Sequence, residues 1–354
     1  MFWDGAGATM QTQWYSRMSA LALAAVVTSM ATATSWGAAG DNGQFFLIEG
    51  MWLTPDDADS IALTAPIGAG PFGLVTTDDL DLDEVGGARV TIQFDGWGED
   101  RWQVSAFAVG NFESDFSITG LDPGAGNTST TYAKFVGGTD TSAFDPENSD
   151  EFHQLDATLE ANLWGAEVSW VRNLTDYGWH RVDLLLGVRY LHYSEELKTT
   201  VFDEISDLTG GNGIDDVAIQ VDNDLVGVQI GFQSMWDISD CVSIGGTLKG
   251  GIAANFVSRD RSFRDREGGI GDLVYTDSID DSGLAAFAEF NPRIEFVLGD
   301  SATLAVGGTV LWINDTARAA SHYQSVANTA DRDVRDDEDQ LFYGASIGLR
   351  LALD

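Results

Sequence analysis

The stretch of sequence that decides the fold is His180-Arg-Val-Asp-Leu-Leu-Leu-Gly-Val-Arg-Tyr190. Every second residue from Val182 to Tyr190 is apolar, and the residues between them include Asp183, Gly187 and Arg189. Successive side chains of a strand point to opposite sides, so a period of two gives the strand one apolar face and one polar face. The stretch therefore predicts a β-strand that lies between two different environments.

The same alternation recurs in ten blocks along the chain. The blocks span residues 44–54, 88–95, 101–112, 154–172, 179–194, 222–235, 242–257, 284–298, 303–314 and 340–352. In the fourth block the alternation changes phase between Leu163 and Trp164, which predicts a β-bulge there. A soluble β-sandwich would give the same period, so the period alone does not decide between a sandwich and a membrane barrel.

The connections between the blocks alternate in length, and this favours the barrel. The short ones are 96–100, 173–178, 236–241 and 299–302, and the long ones are 55–87, 113–153, 195–221, 258–283 and 315–339. Short periplasmic turns on one side and long extracellular loops on the other are typical of a transmembrane β-barrel. We therefore predict an all-β, antiparallel transmembrane barrel of about ten strands, with twelve strands as the alternative.

Negative charge is concentrated in the long connections. The chain has 56 Asp and Glu residues against 18 Lys and Arg, which gives a formal net charge of −38. The first three long connections hold 8, 8 and 7 acidic residues but only 0, 1 and 1 basic ones. We therefore expect acidic extracellular loops. So acidic a chain is not expected to bind nucleic acid, because phosphate recognition needs a basic surface.

The amino terminus has the features of an export signal. Arg17 precedes a short apolar run that ends at Val27, and Ala31-Thr-Ala33 follows with small residues. The run is too short for the roughly 20 residues of a membrane-spanning helix. We predict a signal peptide at residues 1–39, with Met10 as an alternative start, and an outer-membrane barrel at residues 40–354.

Aromatic residues lie near the predicted strand ends, where aromatic girdles anchor barrels at the two bilayer interfaces. The tryptophans near the short turns are Trp97, Trp102, Trp170, Trp179 and Trp236. Near the long loops lie Trp312, Tyr190, Tyr193 and Phe256. The alternative is that these are core aromatics of a soluble sheet, but a position at strand ends favours the girdles.

The polar phase of the strands predicts the lumen lining. The candidates are Arg89, Arg101, Arg181, Asp183, Arg189, Gln229, Gln233, Lys249, Glu289, Arg293, Glu295 and Arg350. Both signs of charge occur, so these side chains either pair across a filled lumen or line a wet path for ions. Ten strands are close to the roughly 8 that side chains can fill and far from the 16–18 of open porins, and both alternatives stay open.

Motifs for catalysis are absent from the sequence, and we predict that the protein is not an enzyme. The four histidines are isolated, and neither a HExxH nor a Gly-x-Ser-x-Gly motif occurs. The acidic run with Asp79, Asp81 and Asp83 is a weak Ca²⁺ candidate, since hard cations favour carboxylates. It lacks the glycine and the spacing of an EF-hand loop, so a solvated charge run is the preferred interpretation. No cofactor is predicted.

Part of the chain resembles a known family of barrels. The residues concerned are Asn162-Leu-Trp-Gly-Ala-Glu-Val168, Val171-Arg-Asn-Leu174 and Arg181-Val-Asp-Leu-Leu-Leu-Gly-Val-Arg-Tyr-Leu191. They resemble the central hairpin of the Legionella-type pore-forming outer-membrane proteins, a family that is also abundant in planctomycetes. The resemblance covers about thirty residues and implies an outer-membrane barrel with a pore function.

These observations lead to two functional hypotheses. The first is a narrow passive channel in the bacterial outer membrane, which would prefer cations because an acidic mouth concentrates them. The second is a non-conducting structural or adhesive barrel whose acidic loops bind divalent cations or surface polymers. The expected partners are outer-membrane lipids, the barrel-assembly machinery, and small ions or solutes.

Overall fold

The fold is known from a computed structural model of the chain. It describes residues 44–56, 65–66, 80, 82–97, 100–119, 131–132, 154–202, 214–265, 272–325 and 338–353. The predicted signal peptide at residues 1–39 and the alternative start at Met10 lie outside the described residues. Among the described residues, no helix is long and apolar enough to cross a bilayer.

Ten antiparallel strands form a closed ring in the order of the chain. They are β1 (Phe45–Pro55), β2 (Val85–Asp95), β3a (Arg101–Val109) with β3b (Phe112–Thr119), β4 (Gln154–Asp176), β5 (His180–Phe202), β6 (Ile214–Ser239), β7 (Val242–Asp265), β8 (Asp272–Gly299), β9 (Ala302–Thr316) and β10 (Glu338–Ala352). Neighbouring strands pair along the ring, and β1 closes it against β10. A separate two-residue pair joins Ala65–Pro66 to Thr131–Tyr132. The predicted antiparallel barrel is confirmed, with ten strands rather than twelve.

The short connections all lie at one end of the ring, as the sequence predicts. The tight β4–β5 turn uses Gly178, whose φ of 81° is unfavourable for other residues, and its N–H donates to the side chain of Asp176. The β6–β7 turn contains only two residues outside the strands, Asp240 and the exposed Cys241. Because these turns are so short, the chain reverses its direction close to the membrane surface at this end.

An apolar band surrounds the outside of the ring. On β6 the outward side chains Val226, Val228, Ile230 and Phe232 are all about half exposed, and Trp236 follows them at the short-turn end. The ten steps from Val226 to Trp236 cover about 33 Å of strand, at about 3.3 Å per residue. With the usual tilt of about 40° this is about 25 Å along the membrane normal, the height of a lipid-facing belt. The ring therefore has the outer surface of a transmembrane barrel.

Five strands extend far beyond this band. β4 to β8 are 23 to 28 residues long, about twice the 9–11 residues that cross a bilayer. Much of the predicted long connections 195–221 and 258–283 is therefore strand, and the remaining connections are only 203–213 and 266–271. The sequence-based boundaries were wrong here because acidic and polar residues on the outer face of these extensions were interpreted as loops.

The two faces of the long strands exchange their chemistry above the apolar band. On β6, Val217, Ile219 and Val221 point inward and are buried, while Gln220 and Asp222 point outward. Lower on the same strand, apolar side chains face the lipid and polar ones face the lumen. Above the band water replaces lipid outside, so the apolar side chains turn to the interior as in a soluble protein.

The β-bulge predicted between Leu163 and Trp164 is absent, and that prediction was wrong. Between residues 155 and 171 of β4 the odd-numbered side chains are all buried, so its phase does not change between Leu163 and Trp164. On β3 the phase does change, because the pairs Ala108↔Trp164 and Phe112↔Ala161 match four steps of β3 to three steps of β4. The apolar residues change sides on β4 because the environment changes and not because of a bulge.

Candidate functional site: the barrel lumen

All twelve residues that the sequence assigns to the lumen lie on the inner side of the ring. Ten of them take part in ion pairs, Gln229 donates hydrogen bonds to Glu167 and Ser169, and Gln233 lines a cavity. The lumen is arranged in layers along the barrel axis, which are described from the short-turn end to the long-loop end.

The lowest layer is a cluster of arginines, which we call the lower arginine cluster. It comprises Arg101, Arg181, Arg293 and Arg350 with the carboxylates Asp183 and Glu295. Asp183 accepts from Arg101 at 2.8 Å and from Arg181 at 3.0 Å. Glu295 accepts from Arg350 at 3.2 Å and lies 3.1 Å from Nε of Arg293. Four cations thus share two carboxylates in this layer.

The next layer is an ion-pair network in the middle of the membrane span. It joins Arg89, Glu167, Arg189, Lys249 and Glu289, which lie on five different strands. Arg89 and Arg189 both bind Glu289, and Lys249 binds Glu167. Cations and carboxylates cross-link the walls of the lumen here, and buried ion pairs of this kind need each of their partners.

An apolar layer closes the lumen above the network. Its sixteen buried side chains are Met51, Leu53, Phe107, Val109, Phe112, Ala161, Leu163, Leu191, Tyr193, Leu225, Ala253, Ala285, Phe287, Leu311, Ile313 and Phe342. Nine of the ten strands contribute to it, and Val85 on β2 packs against it. The rings of Phe112 and Tyr193 lie 6.1 and 5.6 Å from that of Phe342, so aromatic rings meet in the middle of the lumen.

The chain after β9 folds into the upper lumen and forms a plug, which we define as residues 317–325. The chain changes direction at Asp315, the last but one residue of β9. The φ of Asp315 is 59°, which is unusual for a residue other than glycine. The side chain of Asn223 holds Ala317 by two hydrogen bonds of 2.9 Å, one to its carbonyl oxygen and one from its N–H. The described first part of the long connection 315–339 therefore lies inside the barrel.

An ion pair fixes the plug to the barrel wall. Arg318 lies 3.4 Å from Glu195 and 3.6 Å from Glu338, and the N–H of Ala319 donates to Glu195 at 2.6 Å. Burial by itself would lower the pKa of Arg318, but Glu195, Tyr193 and Glu338 together outweigh it and raise that pKa above its ordinary value. The guanidinium therefore stays charged over the whole physiological pH range.

Aromatic side chains mark both ends of the apolar band. At the short-turn end Trp97, Trp102, Trp179 and Trp236 are exposed and Trp170 is partly exposed. At the other end Trp312 is partly exposed, and Trp164 lies 4.9 Å from the ring of Tyr190. The assignment of Tyr193 to this row was wrong, since its ring is fully buried in the apolar layer. It was assigned from its closeness to the predicted strand end, which does not give the direction of a side chain.

Only part of the acidic run that is a weak Ca²⁺ candidate lies within the described residues. Asp79 and Asp81 lie outside the described residues, and Asp83 is exposed. Within the described ranges no three His, Cys, Asp or Glu side chains are grouped so that they could hold a metal ion.

Sequence reasoning missed three carboxylates of the lumen, which are Glu49 on β1, Glu167 and Glu195. Glu167 was missed because the assumed bulge at Leu163 turned its phase, although continuous odd-numbered alternation would have placed it inside. Glu195 was missed because it falls in a segment interpreted as loop. For Glu167 and Glu195 the signal was a regular period of two that the change in environment concealed.

Comparisons with known proteins found weak similarity to solved structures of outer-membrane proteins. No protein-family profile and no curated protein matches the sequence. The outer-membrane protease OmpT from Escherichia coli is 11% identical, with 88% of this chain and 98% of that chain covered and a TM-score of 0.46. A major outer-membrane protein from Thermus thermophilus is 12% identical, with 87% and 98% covered and a TM-score of 0.31. The P. putida toluene transporter TodX is 11% identical, with 88% and 89% covered and a TM-score of 0.27. Likenesses this low carry no argument about function.

Proposed function

We propose that the protein is a non-conducting barrel of the bacterial outer membrane, with a structural or adhesive function carried out by its acidic surface loops. The observation that supports this most directly is the apolar layer, which spans the lumen from β1 to β10. It stands in series with the ion-pair network below it and the plug above it, so three different barriers would oppose an ion.

The apolar layer alone is a strong barrier. An ion that crosses it must give up water without receiving protein ligands, and hydrophobic constrictions of this kind close channels by excluding water. The ion-pair network adds a second barrier, because opening it would leave carboxylates such as Glu289 buried without their cations. A passive pore that stays open needs neither feature.

The test is conductance of the purified full-length protein in planar bilayers. We expect no steady conductance at 1 M KCl and no swelling of proteoliposomes in small sugars, with a general porin of known conductance as the control. Divalent cations or polysaccharides should bind to the surface of intact proteoliposomes. A steady unitary conductance in the wild-type protein would contradict the proposal.

The second candidate is the narrow channel that the sequence suggests, in a state in which the plug has moved and the apolar layer and the ion-pair network below it have opened as well. The plug belongs to a connection and not to a strand, and this observation favours the idea because a connection can move without breaking the ring. Such a channel would prefer cations, since its long-loop mouth is acidic. Conductance that appears only after Arg318→Ala, and that favours K⁺ over Cl⁻, would support this candidate.

Several further expectations from the sequence are also part of this proposal. They are export by the signal peptide, assembly by the barrel-assembly machinery, membership of the Legionella-type family, and the absence of enzymatic activity. Protein recovered in the outer-membrane fraction, with a shorter amino terminus by mass spectrometry, would support the first of these.

A further inference from the structure

A polar cavity lies in the lower half of the lumen, between the lower arginine cluster and the ion-pair network. Its volume is about 40 Å³, and its wall includes Thr91, Ser105, Thr247 and Ser346. The carboxylate residues Glu49 and Glu167 also line it. A water needs about 10–15 Å³ of such space, so the cavity has room for about three waters or one small polyatomic ion. With so many hydroxyl groups the cavity favours a polar occupant.

The charges around this cavity do not balance. The membrane-spanning lumen contains seven cationic side chains, Arg89, Arg101, Arg181, Arg189, Lys249, Arg293 and Arg350. They face five carboxylates, Glu49, Glu167, Asp183, Glu289 and Glu295, so two positive charges are left over. Two of the seven cations, Arg181 and Arg350, are partly exposed at the short-turn end, and an anion bound in the lower lumen would compensate the excess.

Arg293 is the residue that a counter-ion would contact. It lines the cavity, its Nε lies 3.1 Å from Glu295, and its Nη2 is buried without a hydrogen-bond partner among the described residues. Gly307 faces it on β9, and a Cβ there would lie only 3.2 Å from Cβ of Arg293. Guanidinium groups suit oxyanions, because their N–H donors match the geometry of carboxylate and phosphate oxygens.

The cavity is nearer to the short-turn end of the lumen than to the long-loop end. The apolar layer separates it from the long-loop end. At the short-turn end Arg181 and Arg350 keep 36% and 28% of their side chains exposed, so water reaches the lower arginine cluster. The acidic extracellular surface, which would repel an anion, is on the far side of the closure.

We propose that the lower lumen is a binding site for a small oxyanion, of the class of inorganic phosphate or sulfate, which enters from the short-turn end and is held by Arg293. The hydroxyl groups of the cavity wall supply further donors. Lys249 and Arg89 offset the negative charges of Glu167 and Glu49, which also line the cavity. Arg293 therefore supplies the positive charge for the anion. The site does not depend on conduction, because its entrance and its ligand groups lie on the same side of the apolar layer.

Isothermal titration calorimetry of the full-length refolded protein in detergent tests the site. Sodium phosphate and sodium sulfate are titrated separately at constant ionic strength set with chloride. We expect saturable binding of at least one of them with one site per chain. Arg293→Gln should weaken it about tenfold or more, the effect of losing a charge-assisted hydrogen bond. Arg172→Gln, which removes an exposed arginine from the outer face, is the matched control and should bind like the wild type.

A second variant covers the case in which Arg293→Gln does not fold, as judged by heat-dependent migration on a gel. Ser346→Val removes one hydroxyl group from the cavity wall and fills part of the space, so it should weaken binding several-fold. Absence of saturable binding of both anions to the wild type overturns the proposal. Equal affinity of the wild type and the folded variants also overturns it, because binding would then be elsewhere.

Discussion

Glu160 is an outward-facing carboxylate on β4, above the apolar band, and its pKa is raised. Partial burial is the main cause, and Lys198 opposes it by attraction. The neighbouring charges of Glu196, Glu113 and Asp115 raise the pKa further, because like charges disfavour ionisation. At neutral pH the ionised carboxylate of Glu160 therefore makes the folded state less stable.

The sign of this effect gives a prediction on stability. Because the folded-state pKa of Glu160 is above its ordinary value of 4.5, ionisation destabilises the fold at pH values above the folded pKa. Glu160→Gln should raise the free energy of unfolding at pH 7 by about 0.2–1 kcal/mol. The expected gain is small because solvent screens these charges. The gain should vanish when the pH falls below 4.5.

Urea unfolding in detergent at pH 7 and pH 4 measures this difference. Asp260→Asn, on the outer face of β7, removes an exposed carboxylate from the same part of the barrel and serves as the control. A gain for Glu160→Gln that persists unchanged at pH 4 would refute the electrostatic explanation.

At the scale of the strand, period two was sufficient to find all ten strands but not their lengths. β1 and β9 were predicted to within two residues, because lipid and lumen give them one clear apolar phase along almost their whole length. β6 was predicted to begin at residue 222 but begins at Ile214. In its upper part the apolar residues occupy the odd-numbered positions, and in its lower part the even-numbered ones. A search for one constant alternation therefore does not recognise the two parts as one strand.

The lumen shows the same division between what was predictable and what was not. Side chains such as Arg189 and Glu289 could be assigned to the interior from alternation alone. The pairing between them could not, because β5 and β8 meet across the ring and sequence spacing carries no information on that contact. The plug was equally unpredictable, since its hold on Asn223 joins residues that are 94 positions apart.

The change of environment along one strand predicts opposite effects for two similar substitutions on β6. Val228 faces outward in the apolar band, and Gln220 faces outward above it. Val228→Asp should reduce folding into lipid vesicles, since a charged side chain facing lipid is unfavourable, by about 2–4 kcal/mol for Lys or Arg near the midplane and by less for Asp. Gln220→Asp should fold like the wild type, because its side chain is in water.

The yield of the heat-modifiable form after refolding into vesicles measures both variants. A Val228→Asp protein that inserts as well as the wild type would show that the half-exposed side chains of this band do not face lipid.

At the scale of the whole molecule, the barrel has two unlike ends. Short turns and the lower arginine cluster lie at one end, and the plug and the acidic extensions lie at the other. Cys241, the single cysteine of the chain, is exposed in a short turn and can report which end faces the cell interior.

A membrane-impermeant maleimide should therefore leave Cys241 unlabelled in intact cells and label it after the outer membrane is permeabilised. Asp83→Cys in a Cys241→Ser background places a thiol at an exposed position on the long-loop side, and it should react in intact cells. Labelling of Cys241 in intact cells would mean that the barrel has the opposite orientation.

The exchange of faces on the long strands also fixes how deep the barrel sits. Sinking by two residues, about 5 Å along the membrane normal at the usual strand tilt, would carry Asp224 into hydrocarbon. Rising by the same amount would expose Val226 and Leu284 to water. Both displacements are unfavourable, so the protein has one preferred height. The strand extensions consequently act as a spacer of fixed length, which presents the surface loops at a constant distance from the lipid headgroups.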